Sequence, residues 1–555
     1  MFAQRITQVL SYNLDKNLLF SLLRKEILQK NLQKFVIKSL TLNSMTLVAS
    51  KATMYHHPFI AKTKSILELK LPITKTIIKI FRKSTVTSNC YRVFSISCGY
   101  QNAYISKNYN CNFLSSNSPK PFLGYSLNKR YYSRYAASTI MPHNTFNLNN
   151  YDIIGFDLDG TLLRYNLDAM VTMEYNIIAK YLVEHKNYPK ELLKPIDNDI
   201  DFLQKGLILD AVRGNILKLS FDGVILKATH GTKLLSENDI KRIYGEEKKW
   251  DLTTQYINDP LSAWNGPNAD KLRALLDYFD MPASLVMARA VDLINEKHNS
   301  SHLSEYKIWP DILDALVFMY KRENFASGFG EYFEELKNNP NKYIHKSDPY
   351  IIKWLQELKK TKAIFLLTGS NIDFANLTAS HALGHNWRNL FDVIIAFAKK
   401  PGFFTMNRPF YSFQGGEEDQ IIPDNSIKMG NVYAQGNWKS VEKLLAKKFG
   451  KTIKKPRSLY IGDNLIQDVY TPSKYCELDT VSLVEELEEH ECQDGYAFKK
   501  VIQSSLWGSY FSIDNKPTYW SEVIKKHSKM CLPTIEHLCQ HPLNYEYQCS
   551  STITE

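Results

Sequence analysis

The stretch Ile153-Ile154-Gly155-Phe156-Asp157-Leu158-Asp159-Gly160-Thr161-Leu162-Leu163 constrains this chain more than any other. Four mostly apolar residues run into two carboxylates one residue apart, then a glycine and a threonine. A short apolar run bounded by turn residues reads as a strand buried in a parallel sheet, and open α/β sheets hold their ligands at the carboxyl ends of such strands. Asp157 and Asp159 would stand at that edge, and because the chain leaves the strand there both side chains can reach one site. Two acids so close repel, so a divalent cation or a shared proton is the natural way to hold them together. Taken alone, the run also fits a helix cap or a plain Asp-Gly turn.

The other strand ends decide between these readings. A second buried strand, over 363–367, ends in Thr368-Gly369-Ser370-Asn371. It follows a helix with Asp348 as cap and Pro349 in the first turn. A hydroxyl at a strand's end, with Gly and Ser opening the next helix, offers a phosphate one O–H and several free backbone N–H groups. A simple helix cap would look the same. The third strand, over 393–397, runs into Ala398-Lys399-Lys400-Pro401, where a lysine can neutralise a phosphoryl group or the clustered acids. A helix over 438–449, closed by Gly450, leads to the fourth strand, over 458–461. That strand ends in Gly462-Asp463-Asn464-Leu465-Ile466-Gln467-Asp468, a second carboxylate pair at a sheet edge. A fifth apolar strand, over 480–483, precedes an acidic run over 485–491 that reads as a solvated helix face.

Four strand ends in order therefore supply Asp-x-Asp-x-Thr, Thr-Gly-Ser, Lys and Gly-Asp-x-x-x-x-Asp. The set resembles the haloacid dehalogenase superfamily of phosphatases and, more narrowly, its cytosolic purine 5′-nucleotidase branch. The narrower likeness rests on F-D-L-D over 156–159, K-G-L-I-L-D over 205–210, G-N-I-L-K over 214–218, His230-Gly231, A-K-K-P over 398–401 and Y-I-G-D over 460–463. It covers about residues 150 to 545.

The resemblance implies an α/β fold: a Rossmann-like core with a parallel sheet, over 150–170 and 345–545, and an α+β cap inserted between the first two motifs, over 171–344. Asp157 would be the nucleophile and Asp159 the general acid and base. Thr368, Gly369, Ser370 and Lys400 would bind phosphate, with Lys399 a poorer match than Lys400 to the A-x-K-P pattern. Mg²⁺ would be held by Asp157, by Asp159 through its backbone carbonyl, and by Asp463. Asp468 would sit behind them and orient Lys400 or a metal-bound water. The implied substrate is a small phosphorylated molecule, a nucleoside monophosphate by the narrower likeness, and self-association is a trait of the branch.

Within the cap stretch, short strands over 206–210, 215–219 and 224–227 are separated by Gly214 and Asp222-Gly223 turns. Helices are expected over 171–183, 270–278, 284–297 and 310–320. In the branch, the last of these carries Arg, Asp and His toward the base and ribose; here Leu313, Val317 and Tyr320 stand at those places, which weakens the purine preference. His230 and Lys233 either line the cap or form a structural turn. Arg164 and Tyr165 either pack at the cap hinge or touch substrate. The aromatic-rich stretch over 507–547 is either internal packing or an interface between copies, and 546–555 is a tail. A protein that keeps the fold and metal site for regulation, with little turnover, is the competing function, as is a phosphatase for a non-nucleotide ester.

Charge separates the first 140 residues from the rest. Residues 1–150 carry 21 Lys and Arg against 3 Asp and Glu, while the remainder holds 48 against 54, so the net +12 belongs to one end. A basic, nearly acid-free segment reads as a mitochondrial presequence, with R-Y-Y-S over 130–133 resembling a cleavage context, or as an extension before a working start at Met141. The first places the protein in mitochondria and the second in the cytoplasm. No stretch reaches the roughly 20 apolar residues of a membrane span, and no folded nucleic-acid-binding signature accompanies the basic residues. The eight cysteines form no C-x-x-C pair, which argues against a zinc site and fits a reducing compartment.

Overall fold

The computed structural model describes residues 145–265, 268–299, 303–328, 330–450, 455–487 and 504–548. The expectations for the basic segment over 1–140, for Met141 and for the end of the tail lie outside these residues. No helix among the described residues is long and apolar enough to cross a membrane.

In chain order the strands of the two larger sheets are β1 (Ile153–Phe156), β2 (Ile208–Asp210), β3 (Asn215–Leu219), β4 (Ile225–His230), β5 (Lys233–Leu234), β6 (Leu272–Ala274) and β7 (Ala363–Leu367). They continue as β8 (Val393–Ala396), β9 (Phe410–Gln414), β10 (Glu417–Ile422), β11 (Val432–Gln435), β12 (Ser458–Gly462), β13 (Asp479–Leu483) and β14 (Met530–Leu532). A nine-stranded sheet has the order β10-β9-β11-β8-β7-β1-β12-β13-β14. It is parallel except for the β9–β10 hairpin, which pairs antiparallel at one edge. This is the Rossmann-like α/β core expected from the strand ends.

β1 is central because nothing in it is polar. All four of its residues are buried, as are all five of β7, which suits strands covered on both faces. Each fully buried Ile, Leu or Phe there contributes about 1.5–3 kcal/mol. Phe156 meets Trp354 edge-on at 5.8 Å, packing the helix Pro349–Thr361 onto the sheet. Asp348 caps that helix as expected, accepting from Tyr350 N at 3.1 Å.

The sequence between β1 and β7 builds a second, five-stranded antiparallel sheet in the order β5-β4-β3-β2-β6, with helices α1 (Leu167–Lys186), α2 (Pro282–His298) and α3 (Trp309–Met319) beside it. Gly214 at φ +69° and Gly223 at φ +85° make the expected tight turns. The chain leaves the large sheet and returns to it side by side: Tyr165 bridges Ile344, Asn166 N donates to Tyr343 O and His345 N donates to Arg164 O. A boundary at residue 171 falls inside α1, which Asn166 caps.

Other local expectations fail for physical reasons. Residues 270–278 are not a helix: β6 pairs with β2, and the apolar spacing of Leu272, Leu275 and Leu276 suits either structure in so short a run. The β9–β10 hairpin and β11 have no counterpart among the expected strands, because β10 is mostly exposed and polar. The acidic run is not a solvated face at its start. Glu485 and Glu486 are each 8% exposed, paired with Arg164 and Lys205 respectively; residues 488–491 lie outside the described set. The aromatic stretch packs internally. Trp507 and Trp520 donate to Phe202 O and Gly206 O, and Thr518 bridges Ser220, so 504–524 lies against the inserted sheet rather than within the core alone.

Candidate active site

Register explains why the distant motifs meet. Phe156 lies opposite Leu366 of β7 and Ile461 of β12, so the residues following all three strands emerge side by side, about one strand spacing apart. Asp157 N still donates to Ile461 O, at 2.9 Å. β8 pairs with β7 on its other side and delivers Lys400 to the same edge. Two glycines permit the crowding. A Cβ at Gly160, whose φ is +71°, would stand 2.5 Å from Asp463 Oδ2, and one at Gly462 would stand 2.5 Å from Asp468 Cβ.

A cavity opens at this edge. From the core it is lined by Asp157, Asp159, Gly369, Lys400, Asp463, Asn464 and Gln467, and from the inserted region by Asp277 and Phe279. Lys400 is buried, 2.7 Å from Asp468 Oδ1 and 2.9 Å from Asp157 Oδ1. Lys399 instead lies over the Phe397 ring. Thr368 donates to Asp159 Oδ2 at 3.2 Å and accepts from Ser370 N at 3.0 Å. Ser370 is fully buried, its carbonyl taking Phe397 N. Tyr165 donates to Asp159 Oδ1 at 2.6 Å, so both oxygens of that carboxylate are held.

Asp157, Asp463 and Asp468 bring carboxylate oxygens within 4.8 Å of one another, all buried. The Asp159 carboxylate is not in this group, being turned toward Tyr165 and Thr368. Asp468 is, although the sequence pointed to it only as a residue behind the site. Its second oxygen accepts from Asn464 N, and Asn464 itself caps the wide π-helical turn Leu465–Tyr470.

The electrostatics follow from burial. Desolvation pushes Asp157 up to about 7, with Lys400 pulling it back and Asp468 adding to the rise. Burial and then the Asp157 charge hold Asp159 well above the carboxylate range, against the hydrogen bonds of Tyr165 and Thr368. Asp463 is raised in the same way by burial, Asp157 and Asp468. Burial would lower Lys400, but the charges of Asp157 and Asp468 outweigh it, and the lysine stays protonated. One lysine thus faces three buried acids, Asp157, Asp463 and Asp468, and its ammonium reaches two of them, Asp157 and Asp468. Hard oxygen donors with excess negative charge fit a divalent cation.

Other singled-out residues resolve differently. His230 is buried, its Nδ1 2.8 Å from Asn215 Oδ1 and its ring edge-on to Tyr306, and Lys233 is exposed; both are structural, away from the cavity. Arg164 pairs with Glu485 at 3.2 Å. Val317 is 50% exposed and Leu313 packs at the core's margin. Tyr320 is buried behind the cavity, its hydroxyl 3.0 Å from Glu174 Oε1 and 2.9 Å from Phe279 O. None of these last three lines the cavity. Asp277, Phe279 and Gln467 do, and no motif announced them. A carboxylate two positions before a phenylalanine carries no signal until the inserted region folds over the sheet edge.

Comparison with known proteins agrees with this geometry. A family model described as the 5′ nucleotidase family matches residues 140–501, which contain every residue of the site. 5′-Nucleotidase domain-containing protein 1 of Homo sapiens is 34% identical over 434 residues, 72% of this chain and 92% of the relative. The Bos taurus protein of the same name is 33% identical over 431 residues, 72% and 92%. 5′-Nucleotidase domain-containing protein 2 of Homo sapiens is 27% identical over 337 residues, 60% of each chain. With the family's model covering most of the chain and the relative covered almost throughout, this chain belongs to the 5′-nucleotidase family of phosphoric monoester hydrolases.

Proposed function

We propose that the chain is a Mg²⁺-dependent phosphatase of the haloacid dehalogenase type, hydrolysing a nucleoside 5′-monophosphate through an aspartyl-phosphate. The observation that carries this reading is the pairing at one sheet edge of Asp157, set beside Lys400, with Asp159, held on both oxygens by Tyr165 and Thr368.

Asp157 attacks phosphorus in line. Its oxygen bonds to the phosphoryl group as the ester oxygen departs with its electron pair, and Asp159, kept protonated by its buried setting, supplies that oxygen with a proton. Asp159, now ionised, takes a proton from water. The water attacks the acyl phosphate, releasing inorganic phosphate and regenerating Asp157. Lys400 and the backbone N–H of Gly369, both at the cavity, take the phosphoryl oxygens, where charge accumulates; the Thr368 hydroxyl and the Ser370 N–H would join them by turning from Asp159 and Thr368, which they now serve. Asp468 fixes the Lys400 ammonium in place. Asp157, Asp463 and the Asp159 carbonyl would hold Mg²⁺, which when bound neutralises charge on the phosphoryl group.

Residues 166–344 act as the cap in this reading, closing over the leaving group and excluding water. A working start at Met141 and a cytoplasmic location accompany it, with a mitochondrial location as the alternative should residues 1–132 be a presequence. Phosphate release from a panel of nucleoside 5′-monophosphates and sugar phosphates, with and without Mg²⁺, tests the proposal. Metal-dependent turnover favouring a nucleotide is expected. Equal background rates in the wild type and Asp157→Asn would leave a protein that keeps the fold without the chemistry, and equal rates on sugar phosphates would remove the nucleotide.

A further inference from the structure

Two residues of the inserted region reach the cavity among the described residues, Phe279 and Asp277. Asp277 is anchored on both oxygens. Oδ1 accepts from Phe279 N at 3.2 Å, and Oδ2 accepts from Asn464 Nδ2 at 3.3 Å, a contact between segments 187 residues apart. Asn464 neighbours Asp463, so this contact fixes Asp277 beside the loop that follows β12 at the cavity.

The charges around the cavity are unbalanced. Asp157 and Asp463 at its reacting end would be answered by a bound cation and Asp159 is protonated, which leaves Asp277 as a lining carboxylate with Lys400 the one cationic side chain among the lining residues. Lys400 is already placed between Asp157 and Asp468 and serves the transferring phosphoryl group. Arg273 lies 3.6 Å from Asp280, and Lys205 is paired with Glu486; neither lines the cavity. A leaving group with a second phosphate would therefore bring unpaired negative charge against a fixed carboxylate. One that is uncharged and carries hydroxyls would donate to that carboxylate's remaining lone pairs, while the Phe279 ring offers an apolar face.

We propose that Asp277 is a specificity-determining residue, admitting hydroxyl-bearing, uncharged leaving groups and rejecting those that carry a second phosphate. The assignment rests on the phosphatase reading above, and it names a selection element that does not depend on the substituted helix α3. Discrimination here comes from a repulsive element built into the cap rather than from a tighter grip on the preferred substrate.

The test compares kcat/KM for a nucleoside 5′-monophosphate and for the same nucleoside's 3′,5′-bisphosphate. The wild type is expected to favour the monophosphate by about tenfold or more, the order a like-charge contact imposes. Asp277→Asn should shrink that preference about tenfold, chiefly through the KM of the bisphosphate, and Asp277→Glu should restore it. Equal kcat/KM for the two esters in the wild type, a readout that needs no variant to fold, overturns the proposal. So does an unchanged ratio in Asp277→Asn, including the case where that variant needs more Mg²⁺ for both esters alike, which would assign Asp277 to the metal's water shell. Turnover of neither ester by the wild type, or of any phosphate ester, would overturn the phosphatase reading and this assignment with it; turnover with an unaltered ratio overturns this assignment alone.

Discussion

The proposed mechanism has Asp159 protonated when the leaving oxygen departs and ionised when water attacks, and its neighbours suit both states. Burial and Asp157 favour the protonated form, while Tyr165 and Thr368 donate to the ionised one. Removing the Tyr165 hydroxyl takes away a bond that stabilises the carboxylate, so the Asp159 pKa rises. In Tyr165→Phe the alkaline limb of the kcat/KM profile, which marks loss of the acid in the free enzyme, is expected at higher pH than in the wild type. An alkaline limb that stays in place would remove Tyr165 from this role. Asp157→Asn, which replaces the attacking oxygen, is expected to lower phosphate release at least about a thousandfold without unfolding the chain. The core acids and the lysine of this site were legible in the sequence because each stands in the loop that follows an apolar strand, and the strand ends of an open parallel sheet converge. Asp277 was not, because it reaches the cavity through tertiary packing that leaves no local pattern, and Gln467 went unmarked because it fills one of the open positions of the Gly462–Asp468 motif.

Among the elements, the segment after β13 shows how a charge run misleads. Glu485 and Glu486 look like a solvated face, yet they sit where the inserted region meets the core, and Lys205 and Glu486 have side chains only 2% exposed each. Long-range pairing, with partners some 280 residues apart in sequence, is invisible to a local reading, whereas the cap of the Pro349–Thr361 helix depends on adjacent residues and was read correctly. Breaking a buried pair leaves an uncompensated charge. Lys205→Met is expected to cost about 3–5 kcal/mol in urea unfolding, and adding Glu486→Leu should recover most of it. A loss in the double variant as large as in the single one would show that the lysine stem, not the ion pair, holds the two regions together.

At the scale of the whole molecule, the site is assembled at a cost that a bound divalent cation would offset. A carboxyl whose folded pKa lies above its unfolded value destabilises the fold as pH rises through the interval between them, since the unfolded chain releases its proton first. Asp157, raised to about 7, and Asp159 and Asp463, both raised well above the ordinary aspartate value, all act in this direction. The metal-free protein should lose stability as pH climbs from the ordinary aspartate value through about 7, and Mg²⁺ should oppose the loss. The gap between Mg²⁺-loaded and chelator-treated melting midpoints is thus expected to widen from about pH 5.5 to about pH 8, and to widen less in Asp157→Asn. A gap that is flat with pH would contradict a metal held by these acids. The basic segment at residues 1–140 belongs to this scale too, and mass measurement of the mature N-terminus from cells bears on it. A start at Met141 is expected with a cytoplasmic protein, and one near Ser133 would mean mitochondrial import instead.

The claim on which the rest depends is that Asp157 carries the phosphoryl group. Mass spectrometry of the enzyme, acid-quenched during turnover of a nucleoside 5′-monophosphate with Mg²⁺, addresses it directly. Phosphate on the peptide spanning residues 153–163, at Asp157, and none in Asp157→Asn, is the predicted result. Phosphate release that proceeds without a phosphorylated Asp157 and survives Asp157→Asn would contradict the account.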